Sequence, residues 1–270
     1  MSELPLSLLA ALEAFAKKPR ILLGADFDGT LAPFSTDPMQ ARAAPGALLS
    51  LYAAASLPGV TVALVSGREL RTLRTLTEIP YTSPIVLIGS HGGQSSLDGI
   101  EGLEGVQGTA RLDHDANARL SAARADLEEV ALAHPGTRIE LKPGAVALHT
   151  RGVEPSIGAA AIDAALGLSP RHWGVHIIPG KEVVELTVLE ADKGVALRAL
   201  AAALGVDATA YFGDDVTDER GFAALDPQSG DVTVKVGDGY TLATHRLGSV
   251  EDVIAALGIT VAMRQSASRD

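Results

Sequence analysis

The sequence predicts an α/β protein: a parallel sheet with helices on both faces, carrying an inserted second α/β unit. Three observations lead there. Short, largely apolar runs recur at 21–25, 60–65, 84–89, 208–213 and 232–237, and the first of them shows no clean polar alternation, the pattern of a parallel strand covered on both sides. Four of them stop abruptly at polar, chemistry-bearing residues, and ligands of open α/β sheets gather beyond the carboxyl ends of such strands. Between the third and fourth runs, a reach rich in glycine and acidic residues (94–108) precedes a long amphipathic stretch and a second set of strands.

Composition sets the outer bounds. A chain of 270 residues, 47% hydrophobic, can bury one large core, or a core plus a smaller domain. The absence of cysteine excludes disulfides and thiolate metal sites and leaves hard, oxygen-bound cations. A formal charge of −11 disfavours nucleic acid or an anionic membrane as partner, so an anionic substrate needs a local basic pocket. Met1-Ser2-Glu3-Leu4-Pro5 lacks a basic leader region, and no apolar stretch is long enough to span a bilayer; a cytoplasmic monomer is the expectation.

Taken in order, Leu6 to Lys18 has helical apolar spacing and ends before Pro19. Ile21 to Ala25 is the first strand, delivering Asp26 and Asp28 to its end, with Gly29 for the turn and Thr30 adding a hydroxyl. A calcium loop spaces its acids differently and places its glycine later. A helix is expected over 45–55, a strand over 60–65 ending in Ser66-Gly67-Arg68, a helix over 69–77, and a strand over 84–89 ending in Ser90-His91-Gly92. The reach 94–108 reads as a hairpin or hinge. Beyond it come a helix over 110–133, strands over 137–142 and 145–151, a helix over 156–166, and strands near 175–178 and 183–187, together a βαβ-type insert. Period-two alternation puts Glu140 and Lys142 on one face of their strand. Lys193 opens a helix to Leu204, the run 208–213 ends in Asp214-Asp215-Val216-Thr217-Asp218, and a strand at 232–237 and a helix at 249–257 complete the core. Residues 263–270 are expected to fray.

If the four strand ends are parallel neighbours, Asp26, Asp28, Ser66, His91, Asp214 and Asp215 converge on one pocket. Close carboxylates there repel by roughly 4 kcal/mol per pair at a surface-like dielectric. A hard divalent cation relieves this, and magnesium commonly shares its coordination sphere with a phosphate. Lys193 can supply the point charge a phosphoryl group needs, or can be a solvated lysine at a helix start. Magnesium disfavours imidazole, so His91 reads as a hydrogen bonder, not a ligand.

Asp26-Phe27-Asp28-Gly29-Thr30-Leu31, Ser66-Gly67-Arg68, Lys193-Gly194 and Gly213-Asp214-Asp215-Val216-Thr217-Asp218-Glu219 resemble, in order and spacing, the motifs of the haloacid dehalogenase-type phosphatases. Gly89-Ser90-His91-Gly92, Glu140-Leu141-Lys142, His149-Thr150-Arg151 and Gly180-Lys181-Glu182-Val183-Val184-Glu185 are similar to the trehalose-6-phosphate phosphatase subfamily. Two departures stand out. Thr150 replaces an aromatic residue found in many relatives, which is expected to alter sugar contacts, and 187–192 lacks the proline and glycine often found before the lysine.

The resemblance implies a Rossmann-like core over 1–107 and 188–270 with an α/β cap over 108–187. It also implies Mg-dependent hydrolysis of trehalose 6-phosphate through an aspartyl phosphate. Asp26 is then the nucleophile and Asp28 the acid and base. Ser66 and Lys193 hold the phosphoryl oxygens, with Gly67 in support. The Asp26 carboxylate, the Asp28 carbonyl and Asp214 hold Mg2+, while Asp215 and Asp218 orient metal-bound water and Lys193. Glu140, Lys142, Arg151, Lys181 and Glu185 face the sugar, with Arg68 and His91 also on the substrate's side. Phosphatases of sucrose phosphate or mannosyl-phosphoglycerate, and a non-catalytic regulator of the same fold, are the rival readings.

Overall fold

The computed structural model describes residues 4–97, 112, 114–142, 144–168, 173–188 and 192–267. In chain order the elements are α1 (Leu6–Ala16), β1 (Ile21–Ala25), α2 (Ala47–Ala55), β2 (Val60–Val65), α3 (Leu70–Thr77), β3 (Val86–Gly89), β4 (Gln94–Ser95), α4 (His114–Ala133), β5 (Arg138–Lys142), β6 (Ala145–His149), α5 (Pro155–Leu166), β7 (His176–Gly180), β8 (Val183–Thr187), α6 (Lys193–Leu204), β9 (Ala208–Gly213), α7 (Asp218–Ala223), β10 (Val232–Val236), β11 (His245–Leu247) and α8 (Val250–Ala267). They form two compact units, Met1–Thr109 with Ala191–Asp270, and Ala110–Glu190.

The first unit is built on a seven-stranded sheet of order β11-β10-β9-β1-β2-β3-β4, parallel except for β4. All five residues of β1 are buried, which explains why its sequence runs apolar without alternation. Ile21, Leu23 and Ala25 point into one cluster with Leu8, Leu12 and Phe15 of α1, Leu51 of α2, Leu73 of α3 and Val253 and Leu257 of α8. Leu22 points into the other, with Leu197 and Leu200 of α6, Tyr211 and Phe222. Helices therefore cover both faces, as the sequence predicts. No described helix is long and apolar enough to cross a membrane.

The second unit is a four-stranded antiparallel sheet of order β5-β6-β8-β7. β6 and β7 run the same way across α5, with β8 between them, a split βαβ. Val146, Leu148, Val184 and Leu186 pack with Ala123 and Leu127 of α4 and Ala161 and Ala165 of α5. Period-two geometry then sends Glu140, Lys142, His149 and Glu185 to the opposite face. α5 starts at Pro155, with Glu154 accepting from the Ser156 and Ile157 amides at 3.1 and 3.2 Å, a side-chain N-cap.

Four expectations need correction. The third strand begins at Val86, not Pro84, and the second helix at Ala47, after Gly46 at φ 91°. The last helix continues to Ala267, ten residues past Leu257, and 263–267 do not fray. The reason is Arg264, which extends the buried i, i+4 row of Ala256 and Thr260 and donates to the carbonyls of Ala16, Lys18, Pro19 and Pro58. Gln94 and Ser95 pair with β3, while the rest of the expected hinge, 98–108, lies outside the described residues. So do 110, 111 and 113 of the expected long helix, 189–191 before Lys193, and 268–270.

Candidate active site

At the end of β1 the Asp26 amide still bonds to the Phe212 carbonyl at 2.8 Å, so the sheet itself fixes this residue. One Asp26 oxygen accepts from the Phe27 amide at 2.6 Å and the other lies 3.0 Å from Lys193 Nζ. The chain then turns at Gly29, φ +77°, where a Cβ would lie 2.2 Å from the Asp214 carboxylate. Any side chain there would evict Asp214. Thr30, fully buried, donates to Asp214 at 3.0 Å.

The end of β2 is held from a neighbouring turn. Ser90 and His91 adopt φ of 50° and 55°, a left-handed conformation uncommon for such residues. The Ser90 amide donates to the Arg68 carbonyl at 2.7 Å and the His91 amide to the Ser66 carbonyl at 2.9 Å. The imidazole of His91 lies against Gly67, where a Cβ would meet it at 2.4 Å. This leaves Ser66 buried and fixed.

Asp218 organises the far side. Its two oxygens accept from Lys193 Nζ at 2.8 Å, Tyr211 Oη at 2.6 Å and the amides of Asp214 and Asp215 at 2.9 and 3.0 Å. Asp26, Asp214 and Asp218 offer oxygens within 4.8 Å of one another. Asp218 nonetheless has four donors on its two oxygens and no lone pair to spare, so Asp26 and Asp214 remain for a cation.

The electrostatics agree. Burial alone would favour deprotonating Lys193, but Asp218, Asp26 and Asp215 outweigh it and hold the ammonium far above the usual lysine range. Burial pushes Asp26 well up, against Lys193 and with the help of the other acids. Burial, Asp218 and Asp215 push Asp214 up to about 7. The Asp215 side chain is 46% exposed; its partial desolvation raises the carboxyl, yet Lys193 and its bonds to Thr217 and Asp218 outweigh this and hold it below the usual carboxylate range.

Two residues here were missed by sequence reasoning: Tyr211, whose hydroxyl donates to Asp218, and Lys235 on β10, buried, which donates to the Asp214 carbonyl. All five residues of the strand around Lys235, Val232–Val236, are buried, which the sequence alone does not show. Counting Lys235, the cluster holds four carboxylates (Asp26, Asp214, Asp215, Asp218) and two ammonium groups, Lys193 against the carboxylates and Lys235 on the Asp214 carbonyl. Asp28 is balanced separately by Arg68, at 2.5 and 2.7 Å. The deficit of two charges amid hard oxygen donors fits a divalent cation such as magnesium.

On the second unit, Glu140, Ala147 and Glu185 stand opposite one another across β5, β6 and β8. His149 Nε2 lies 2.7 Å from Glu140 and Lys142 Nζ lies 2.5 Å from Glu185. Arg151 Nε lies 3.1 Å from Glu182, and Lys181 is exposed in the β7–β8 turn. Thr150 is buried with its Cβ side toward Gly158 of α5. It is a contact to α5, on the side of the sheet opposite Glu140, Lys142 and Glu185.

Residues 24–245 match the family described as Trehalose-phosphatase. The chain belongs to the trehalose-phosphatase family. It is 33% identical over 243 residues to an Escherichia coli trehalose-6-phosphate phosphatase, covering 89% of this chain and 86% of that one. It is 32% identical over 265 residues to a Mycobacterium tuberculosis trehalose-phosphate phosphatase, covering 93% of this chain and 63% of that longer protein. In fold it is similar to the C-terminal domain of trehalose-6-phosphate phosphatase from C. albicans, at TM-score 0.77 and 21% identity over 97% of this chain and 99% of that one. For this family member, the expected core residues Asp26, Ser66, His91, Asp214 and Asp215 follow β1, β2, β3 and β9 of one sheet, while Lys193 and Asp218 open α6 and α7. Glu140, Lys142 and Glu185 share the face of the other sheet that is turned away from α4 and α5.

Proposed function

We propose that the protein hydrolyses trehalose 6-phosphate to trehalose and inorganic phosphate. The observation that carries the chemistry is a buried carboxylate, Asp26, 3.0 Å from a buried ammonium, Lys193, with a second carboxylate two residues on. A nucleophile beside a fixed cation suits attack on an anionic phosphoryl group. The substrate follows from family membership and from relatives that act on trehalose phosphate.

An Asp26 oxygen attacks phosphorus, and the bond from phosphorus to the sugar oxygen breaks as Asp28 passes a proton to that oxygen. Water then attacks the aspartyl phosphate while Asp28 takes a proton back, releasing phosphate and restoring Asp26. Lys193 and the Ser66 hydroxyl hold the phosphoryl oxygens throughout. Asp218 keeps Lys193 aimed at Asp26, and Asp215 flanks Lys193 at 4.0 Å. Asp26, Asp214 and the Asp28 carbonyl would hold magnesium, which when bound would supply two positive charges to offset the carboxylates and the phosphoryl group.

Residues 108–187 act as the cap and read the sugar. Glu140, Lys142 and Glu185 hydrogen-bond its hydroxyls, with Arg151 and Lys181 at the margin. Ion-paired groups on the sheet face turned away from α4 and α5 suit a polyol, which exchanges hydrogen bonds with them on binding. A cytoplasmic setting accords with a chain that has no cysteine.

Asp26→Asn tests the mechanism. The amide is near-isosteric but not nucleophilic, so phosphate release should vanish while the circular dichroism spectrum stays wild-type. Turnover near the wild-type rate would remove Asp26 from the nucleophile role.

A further inference from the structure

We infer that Arg68 is a positioning residue whose guanidinium fork sets the orientation of the Asp28 carboxylate. The inference rests on the reading of Asp28 as acid and base. Arg68 Nε and Nη2 reach the two Asp28 oxygens at 2.5 and 2.7 Å. Such a two-point contact fixes the carboxylate plane, which a single-point cation cannot do. Asp28 needs this. Its side chain is 29% exposed, against 6% for Asp26, so it lacks the packing that immobilises the nucleophile.

Arg68 is itself held at three points. Its amide donates to Ser66 Oγ at 3.2 Å, its carbonyl accepts from the Ser90 amide at 2.7 Å, and its guanidinium carbon lies 6.0 Å from the Phe27 ring centre. The left-handed turn at Ser90 and His91 thus acts on the proton-transfer residue through Arg68. A guanidinium already engaged on both carboxylate oxygens reads as a holder of Asp28 more than as a sugar contact.

Leaving-group dependence separates these roles. The measurement is kcat/KM for wild type, Arg68→Met, Arg68→Lys and Asp28→Asn on small aryl phosphates of graded phenol acidity, with melting temperatures as the folding control. A dinitrophenolate leaves without a proton, whereas an unactivated phenolate needs one. Both Arg68 variants should lose roughly ten- to a hundredfold on the least acidic phenol and under about threefold on the dinitrophenyl ester, part of the usual general-acid contribution. Lysine should be the milder change, and it supplies the reading should the methionine variant fail to fold. An unchanged slope overturns the inference, including the case where only trehalose 6-phosphate suffers, which would make Arg68 a sugar contact. A uniform loss across the series also overturns it and assigns Arg68 to phosphoryl binding. If Asp28→Asn leaves the slope unchanged, the acid role of Asp28 fails first and takes the inference with it.

Discussion

Lys193 and Asp218 meet at 2.8 Å with neither side chain more than 1% exposed, which makes the position of the phosphate-binding charge a property of the buried interior. Replacing Asp218 by asparagine puts amide hydrogens among donors from Lys193, Tyr211, Asp214 and Asp215. Breaking one partner of a buried ion pair costs about 3–5 kcal/mol. Urea unfolding of Asp218→Asn should show a loss of that order, together with loss of turnover. Wild-type stability would mean that Asp218 does not organise this side of the site.

Asp214 sets a pH window. Its folded value stands near 7 against 3.8, so the folded protein keeps a proton there that the unfolded chain has already released. Without metal, that contribution to stability is present below the unfolded value and is lost as pH rises from about 4 through about 7. Magnesium needs the carboxylate, so its affinity should rise over the same window, approaching tenfold per unit well below 7. Calorimetric titration at several pH values checks this, and Asp214→Ala should flatten the dependence and mimic a chelator in the activity assay.

The core of the site was legible because parallel strands buried on both faces read as unbroken apolar runs, and the acids that end them interrupt the run sharply. Asp26, Ser66 and Asp214 are all found this way. Lys235 was not, because its run, Val232-Thr233-Val234-Lys235-Val236, reads as an alternating strand with Thr233 and Lys235 toward solvent, and nothing local says that the ammonium has a carbonyl to reach. Arg264 was hidden for the same reason: a polar residue near the end of the chain looks solvated until Ala16, Lys18, Pro19 and Pro58 are brought round it by the sheet. β4 and β11, two and three residues long, are too short to carry a period.

Arg264→Ala should therefore destabilise the protein without touching the chemistry. Several charged hydrogen bonds are lost, each worth about 1.5–3 kcal/mol where the carbonyl is left without a partner. A loss of several kcal/mol is expected in urea unfolding, with kcat unchanged at temperatures where the variant is folded. No change in stability would return 263–267 to the status of a dispensable tail.

Sugar recognition should be separable from phosphoryl chemistry. Removing one buried hydrogen-bonding partner costs about 1–3 kcal/mol, so Glu140→Ala, Lys142→Ala and Glu185→Ala should each lower kcat/KM for trehalose 6-phosphate roughly ten- to a hundredfold. A small aryl phosphate, with no disaccharide to grip, should lose little. Equal losses on both substrates would take the sugar-reading role away from residues 108–187.

The most direct measurement is phosphate release by the wild-type protein with magnesium, as kcat/KM, across trehalose 6-phosphate, sucrose phosphate, mannosyl-phosphoglycerate and simple hexose phosphates. Sites that hydrogen-bond several substrate hydroxyls reject mismatched analogues strongly, so trehalose 6-phosphate should exceed every other substrate by about a hundredfold or more. An equal or higher kcat/KM on any other sugar phosphate, or no release from trehalose 6-phosphate, would contradict the account.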